Sequence, residues 1–382
     1  MTTIVQKYGG SSLKDTDRLR VVAERIVARK RQGVDLVVVV SAMGDTTDKL
    51  MDMATEVTPE PARRELDMLL TVGERTTMAL LSMAIQALGE EAISLTGSQC
   101  GILTTHSHSR AQIMEVRPFR VRDELDGGRI VIVAGYQGTS YKREITTLGR
   151  GGSDVTALAL AGALGAEACE IYSDVDGVYT ADPRVVSDAH RIDALSYNEA
   201  EELARAGAKV LHRDALAWAR RHNVALYARS SFVEQGQGGT VIRCNPPERA
   251  RTTVAVVGRT DLVRVIGAPS EAVEELLVGS ALVLRMEQDG IVQWVVTQED
   301  MTEKESLFAA LRAHGVMVDE SLGSVSIIGA GLGEDPQEYS MIRKAFEGYP
   351  SQLTASAWTA WCPVERVDSM TQSLHAALIE SA

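Results

Sequence analysis

The sequence predicts an α/β protein, a sandwich of a mostly parallel sheet between helical layers followed by a smaller α+β region. Three observations lead there. Continuous β-branched runs, such as DLVVVV at 35–40 and RIVIVA at 129–134, alternate with stretches of helical spacing. Small polar or glycine-rich loops follow the strands. Between about residues 232 and 252 the texture turns Gly-, Pro- and charge-rich, and beyond it strand-like runs neighbour one another.

From the start, TIVQKYGGSSL reads as a short strand entering a Gly-Gly-Ser-Ser turn, and Leu19, Val22, Ala23 and Ile26 then recur at helical spacing until Gly33. DLVVVVSAMGDTTD is a strand buried on both faces that ends in a small polar loop. The pattern repeats in RIVIVAGYQG and in ACEIYSDVDGVYT, with the helical ALALAGALGA between. Ligands of such sheets bind beyond the carboxyl ends of the strands. Polar residues collect there, at Lys7 to Ser12, Ser41 to Asp48, Gly135 to Gly138 and Ser173 to Arg184, so one crevice is expected to gather them. Past the junction, TVAVVG, LVRVIG, ALVLRM, IVQWVV and SVSIIGAG read as strands, and SLFAALRAHG, YSMIRKAFEGY and DSMTQSLHAAL as helices. Two domains are expected, 1–245 and 250–382, the second built of antiparallel α+β modules.

A chain of 382 residues with 45% hydrophobic and 24% charged residues has room for two or three globular cores. Its net charge of −13 argues against a general nucleic-acid or anionic-membrane partner, so any phosphate site must be locally cationic. Cys100, Cys169, Cys244 and Cys362 are scattered, without zinc spacing or a disulfide framework, and are expected as core thiols in a reducing compartment. The N-terminus lacks the layout of a signal peptide, and no apolar run reaches the roughly 18 residues of a membrane span. A cytoplasmic protein is expected. His106 and His108 lie in a polar THSHS loop with no third ligand, which favours exposed histidines over a metal site.

The most informative stretch is TTLGRGGSDVT at 146–156. Gly149, Gly151 and Gly152 let the backbone approach a ligand closely, and Ser153 and Asp154 open a helix whose N-terminus favours anions. Arg150 adds a planar fork suited to a carboxylate. A Gly-rich turn before a capped helix reads equally well from this stretch alone. There is no GxxxxGK[ST], so a phosphate cradle would come from KYGGSS and GRGGSD, with Lys7 and Lys209 as point charges. HRDAL at 212–216 lacks the asparagine of a protein-kinase loop, Ala219 standing in its place, and GAGLG at 329–333 is read as a turn.

KYGGSSL, VVVSAMGDTTD, LLTVGER, SLTGSQCGILTT, VIVAGYQG, TTLGRGGSD, EIYSDVDGVYTADPRVV and ELARAGAKVLH stand in the order and spacing of the aspartate kinases, which the chain resembles densely over residues 3–242. The resemblance implies an αβα-sandwich amino-acid-kinase fold followed by an ACT-like regulatory region. It implies transfer of phosphate from ATP, with Mg²⁺ carried on the nucleotide phosphates, to the side-chain carboxylate of L-aspartate. Lys7, Gly9, Gly10 and Ser11 would hold the ATP phosphates, and Ser173, Asp174, Tyr179, Arg184 and Lys209 the rest of the nucleotide. Ser41, Thr47, Glu74, Arg150, Ser153 and Asp154 would form the aspartate pocket, with Lys7, Arg150, Asp154 and Lys209 the catalytic set. A homodimer through the C-terminal modules is implied as well.

The chain departs from the family pattern in two places. Arg213 follows His212 where the family usually has proline. In the C-terminal region neither a D-x-P-G-like turn nor an N-I-x-x-I segment is present, and TASAWTAWCPVE stands where a serine-glutamate strand is expected, so weak feedback by lysine and threonine follows. A same-fold kinase of another small acid and a non-catalytic homologue are the alternatives. Lys7, Arg150, Asp174 and Lys209 argue against the latter, and Glu74 with Arg150 favours an α-amino acid.

Overall fold

The computed structural model describes residues 2–208, 211–233, 238–247, 252–277, 282–298, 301 and 304–380. The chain forms two compact units: Met1–Val178, Arg191–Glu201 and Lys209–Pro247 make the first, and Tyr179–His190, Glu202–Ala208 and Glu248–Ala382 the second.

In the first unit the strands are β1 (Thr3–Tyr8), β2 (Asp35–Val40), β3 (Ala92–Leu95), β4 (Ile102–Thr104), β5 (Ile113–Val116), β6 (Ile130–Ala134), β7 (Gln137–Ser140), β8 (Ile145–Thr147), β9 (Ala168–Ser173), β10 (Ala194–Leu195), β11 (Ala225–Ser230) and β12 (Thr240–Ile242). Interleaved with them run α1 (Thr16–Lys30), α2 (Thr46–Val57), α3 (Arg63–Ala87), α4 (Phe119–Asp126), α5 (Gly152–Leu164), α6 (Tyr197–Ala206) and α7 (Arg213–His222). The main sheet has the order β10-β12-β11-β9-β1-β2-β6-β3 and is parallel except where β11 meets β12. The β-branched runs fill its centre: Val37 to Val40 and Ile130 to Val133 have no exposed surface. One layer of core joins Leu19, Val22 and Ile26 of α1 with Leu81 and Ile85 of α3. Successive strands run outward from β1 in opposite directions, β2 to one side and β9 to the other, which makes the crevice beside β1 a switch point for ligand binding. A second sheet, β5-β4-β7-β8, carries the chain toward α5.

The second unit holds two four-stranded sheets. Its elements are β13 (Ala255–Arg259), β14 (Leu262–Gly267), α8 (Glu271–Leu277), β15 (Leu282–Gln288), β16 (Ile291–Thr297), α9 (Lys304–Ala313), β17 (Met317–Asp319), β18 (Leu322–Ile328), α10 (Pro336–Ala345), β19 (Ser351–Leu353), β20 (Ala357–Pro363) and α11 (Val367–His375). The sheets, β15-β16-β14-β17 and β13-β18-β20-β19, are antiparallel throughout, as the sequence predicts. Each packs helices on one face, around Trp294 and Phe308 in one module and Ile327 and Ile342 in the other, an ACT-like arrangement. Within β20, Trp358 is buried against Tyr339 and Phe346, at 5.1 and 5.9 Å between ring centroids.

Two short upstream segments belong to this unit for visible reasons. The Thr180 carbonyl accepts from the Val256 N–H at 2.8 Å, its hydroxyl meets His375 Nε2 at 2.8 Å, and Gln372 donates to the Val185 carbonyl. Arg259, nearly buried, pairs with Asp261 at 2.7 Å and donates to the Arg205 carbonyl at 3.1 Å. The thiols of Cys100, Cys169 and Cys362 are buried as expected, but Cys244 is exposed, because it follows the short edge-proximal β12.

Candidate active site

The carboxyl ends of the central strands are level. Tyr8 pairs with Val40 and with Tyr172, Val40 with Ala134, and Ser230 with Ser173. One further bond closes each pair: Gly9 N–H to the Tyr172 carbonyl at 3.1 Å, Ser41 N–H to Tyr8 at 3.1 Å, Gly135 N–H to Val40 at 3.0 Å, and Ser231 N–H to Ser173 at 2.9 Å. There the chains part. The register therefore brings Lys7, Gly9, Gly10, Ser11, Ser41 and Ser173 to one crest.

Lys7 projects from the penultimate position of β1 and meets Asp154 of α5, Nζ to Oδ1 at 2.6 Å, with both side chains largely shielded. The turn after β1 passes tightly: a Cβ on Gly10 would stand 2.9 Å from the Ala42 carbonyl oxygen. Residues 10–13 form a single 3-10 turn, whose first N–H groups have no partner within it. Ser12 Oγ ties this turn to Ser231 Oγ at 2.8 Å, and the Ser231 carbonyl accepts from Arg18 and Arg25 at 3.0 and 2.6 Å. Sequence reasoning missed this clamp, since nothing local to α1 signals a partner more than 200 residues downstream.

The glycine stretch delivers α5. Gly149 and Gly151 have φ of +78° and +67°, and a Cβ on Gly151 would fall 2.4 Å from the His212 ring. Gly151 is the N-cap and makes no side-chain cap, so Ser153 and Asp154 do not cap the helix as the sequence suggested; they sit within its first turn and face inward. Ser153 is buried with its Oγ 2.7 Å from where a Cβ on Gly135 would lie, and Asp154 is spent on Lys7. Arg150 is exposed one residue before the cap, and Thr47 is half-buried in the first turn of α2.

Glu74 is not half of a surface ion pair. It is 4% exposed on the inner face of α3, and Arg75 turns instead to Gln137 at 3.3 Å. Gly73 lets the helix press on the loop after β2, a Cβ there lying 2.7 Å from that of Ala42, and the Ala42 N–H donates to Glu74 Oε1 at 3.2 Å. Among the described residues, buried Oε2 has no hydrogen-bond partner. Burial pushes the carboxyl up to about 7, against the smaller opposing effect of hydrogen bonds from the backbone of Glu74 and Ala42.

His108 is not exposed either: its Nδ1 meets the fully buried Asp67 at 2.6 Å, and His106 is half-buried beside it. Among the described residues no group of three His, Cys, Asp or Glu could hold a metal ion. Ser173 and Asp174 stand at the end of β9, where Ser173 Oγ accepts from the Val175 N–H at 3.3 Å. Tyr179 and Arg184 belong to the second unit, in which Asp182 closes a turn and accepts from the Arg184 backbone N–H at 2.9 Å and from its guanidinium at distances down to 2.6 Å. Lys209 lies outside the described residues.

The amino acid kinase family matches residues 2–229. The aspartokinase of Corynebacterium efficiens is 47% identical over 361 residues, spanning 88% of this chain and 85% of that protein. The aspartokinase of Mycobacterium tuberculosis is 46% identical over 360 residues with the same coverage. Among solved structures, E. coli aspartokinase III in complex with aspartate and ADP superposes with a TM-score of 0.80 at 25% identity, covering 98% of this chain and 99% of that one. The same E. coli enzyme in complex with lysine and aspartate gives 0.77, with 99% of each chain covered.

Proposed function

The chain belongs to the aspartokinases of the amino acid kinase family, enzymes that phosphorylate the side-chain carboxylate of L-aspartate with ATP, and we propose that the crest of its first unit does this with the residues described. The observation that carries the reading is Glu74. A buried carboxylate with one oxygen unpartnered lacks a cation, and the α-ammonium of an amino acid supplies one. Arg150 then takes the α-carboxylate through its planar fork, with Ser41, Thr47 and Ser153 lining the substrate, which leaves the side-chain carboxylate free to point at the phosphate.

That carboxylate is ionised near neutrality, its reference pKa being about 3.9, so no general base is needed. The obstacle is repulsion between two anions. Lys7, oriented by Asp154, and the backbone N–H groups of Gly9, Gly10 and Ser11 offset it, so catalysis is positioning plus electrostatic stabilisation. Mg²⁺ would be carried on the nucleotide phosphates and would need few protein ligands, and Asp174, exposed at the end of β9, would be available to it. Ser173 joins Asp174 on the nucleotide side, and the roles of Tyr179, Arg184 and Lys209 there rest on the sequence pattern.

Catalysis is thus assigned to the first unit, and regulation and assembly into a homodimer to the second. We infer a weak answer to lysine and threonine: the polar segments of the family pattern are missing, and Trp358 and Trp361 are buried in hydrophobic clusters. An amino-acid zwitterion needs polar partners at both ends. Strong inhibition by either at millimolar concentration would overturn that inference. The activity itself is tested by trapping the acyl phosphate as a hydroxamate. Product with ATP-Mg²⁺ and L-aspartate, well above that with other small acids, is expected; a yield equal to the substrate-free blank in folded protein refutes it.

A further inference from the structure

Arg150 sits on a glycine loop, and glycine loops do not hold a guanidinium still by themselves. The backbone that leads into this loop is held from α3. Asp67 is fully buried, and its carboxylate gathers donors from the end of β8 and from a separate loop: Thr147 Oγ1 at 2.6 Å, His108 Nδ1 at 2.6 Å, and the Ser109 N–H at 3.0 and 3.2 Å to its two oxygens. Thr147 is the last residue of β8, three before Arg150. Its carbonyl accepts from the Ala111 N–H at 2.8 Å, and a Cβ on Gly149 would stand 3.4 Å from the Ser109 carbonyl oxygen. The 105–111 loop and the start of the glycine stretch are therefore zipped together over one carboxylate. Ser109 is held at φ +67°, a left-handed conformation uncommon outside glycine, and its N–H is the group Asp67 accepts.

Asp67 and Glu74 lie seven residues, close to two full turns, apart on the same face of α3. Both are buried there while Met68 and Val72 face out. We propose that Asp67 is a positioning residue for the substrate. By anchoring the loop that carries Arg150 to the helix that carries Glu74, it makes α3 a ruler that fixes the distance between the partners of the α-carboxylate and the α-ammonium. Specificity for an α-amino acid then depends on a carboxylate that touches neither substrate. The proposal rests on the reading that Glu74 and Arg150 bind those two groups.

Four variants and one control test it, with KM for L-aspartate and for ATP measured separately. Asp67→Ala should raise KM for aspartate at least about tenfold, since small displacements of a positioning group are costly, and leave KM for ATP within about twofold. Asp67→Asn keeps the shape and one acceptor and should restore most of the loss. Thr147→Val removes a single hydroxyl from the anchor and should reproduce the effect in weaker form, while Thr147→Ser should not. If Asp67→Ala fails to fold, the Thr147 pair decides. Arg150→Lys is the control: an unchanged KM for aspartate there sinks the underlying reading. A raised KM in Arg150→Lys, with both KM values moving together or neither moving in Asp67→Ala and Thr147→Val, leaves that reading standing and overturns the role of Asp67.

Discussion

A single buried carboxyl sets the pH behaviour expected of this site. Glu74 is pushed by burial from an ordinary value of 4.5 up to about 7, so the substrate-free native state binds a proton that the unfolded chain has released between those values. The sign follows. Its contribution to stability is fully present below the unfolded value and is lost as pH rises through about 7. Aspartate reverses the preference, because an α-ammonium beside Oε2 favours the carboxylate. Turnover at low aspartate should therefore demand ionised Glu74: kcat/KM for aspartate rises with pH, close to tenfold per unit well below about 7, and levels above it. Glu74→Gln should flatten that profile and lower kcat/KM on the plateau by roughly tenfold to a hundredfold, the value of a charge-assisted hydrogen bond. Profiles for both proteins across about pH 6 to 8.5 at saturating ATP check this. A wild-type profile already flat through that range would remove Glu74 from the ammonium site.

At the scale of elements, most of the first unit was legible because its signals are local. Four consecutive valines at 37–40 read as a strand covered on both faces, and that is how β2 lies. The glycines of 149–152 read as a backbone free to approach a ligand before a helix; what the structure places where a side chain on Gly151 would be is the His212 ring. What could not be read were contacts between elements far apart in sequence. Asp67 falls in RRELDMLL, where an acid near the start of a helix reads as a solvated residue favoured by the dipole; only the 105–111 loop and β8, folded over it, turn it into an anchor. The same error exposed His108. Composition made the THSHS loop polar, but His108 of a polar loop is drawn out of solvent when one buried carboxylate satisfies its donor. Glu74 was assigned from resemblance, and nothing in LLTVGER itself says that Gly73 lets α3 press close enough for the Ala42 N–H to reach it.

For the whole molecule, the sequence put one boundary between 245 and 250, while the second unit also takes up 179–190 and 202–208 through partners far downstream, Val256, Gln372, His375 and Arg259. A linear reading of texture sees where composition changes and cannot see a segment captured by a later strand and helix. The same unit carries the edge on which the proposed assembly rests. β15 is a seven-residue edge strand of the sheet β15-β16-β14-β17, and Leu282, Met286 and the neighbouring Ile291 are 51%, 40% and 50% exposed. An edge of that length presents a row of unpaired backbone groups, and natural proteins shorten, charge or cover such edges. Arg285 and Glu287 place charge on it, but their pairing with each other and with Glu274 neutralises much of that protection. Covering by a second copy across a two-fold axis satisfies the edge on both chains at once and closes the assembly, as isologous contacts do. The expected species in solution is therefore a homodimer through the second unit. Light scattering across a wide concentration range should return twice the chain mass. Leu282→Lys with Met286→Lys should shift it toward the monomer while aspartate phosphorylation survives, because catalysis is assigned to the first unit. A monomer mass independent of concentration in the unaltered protein would show that β15 stays uncovered.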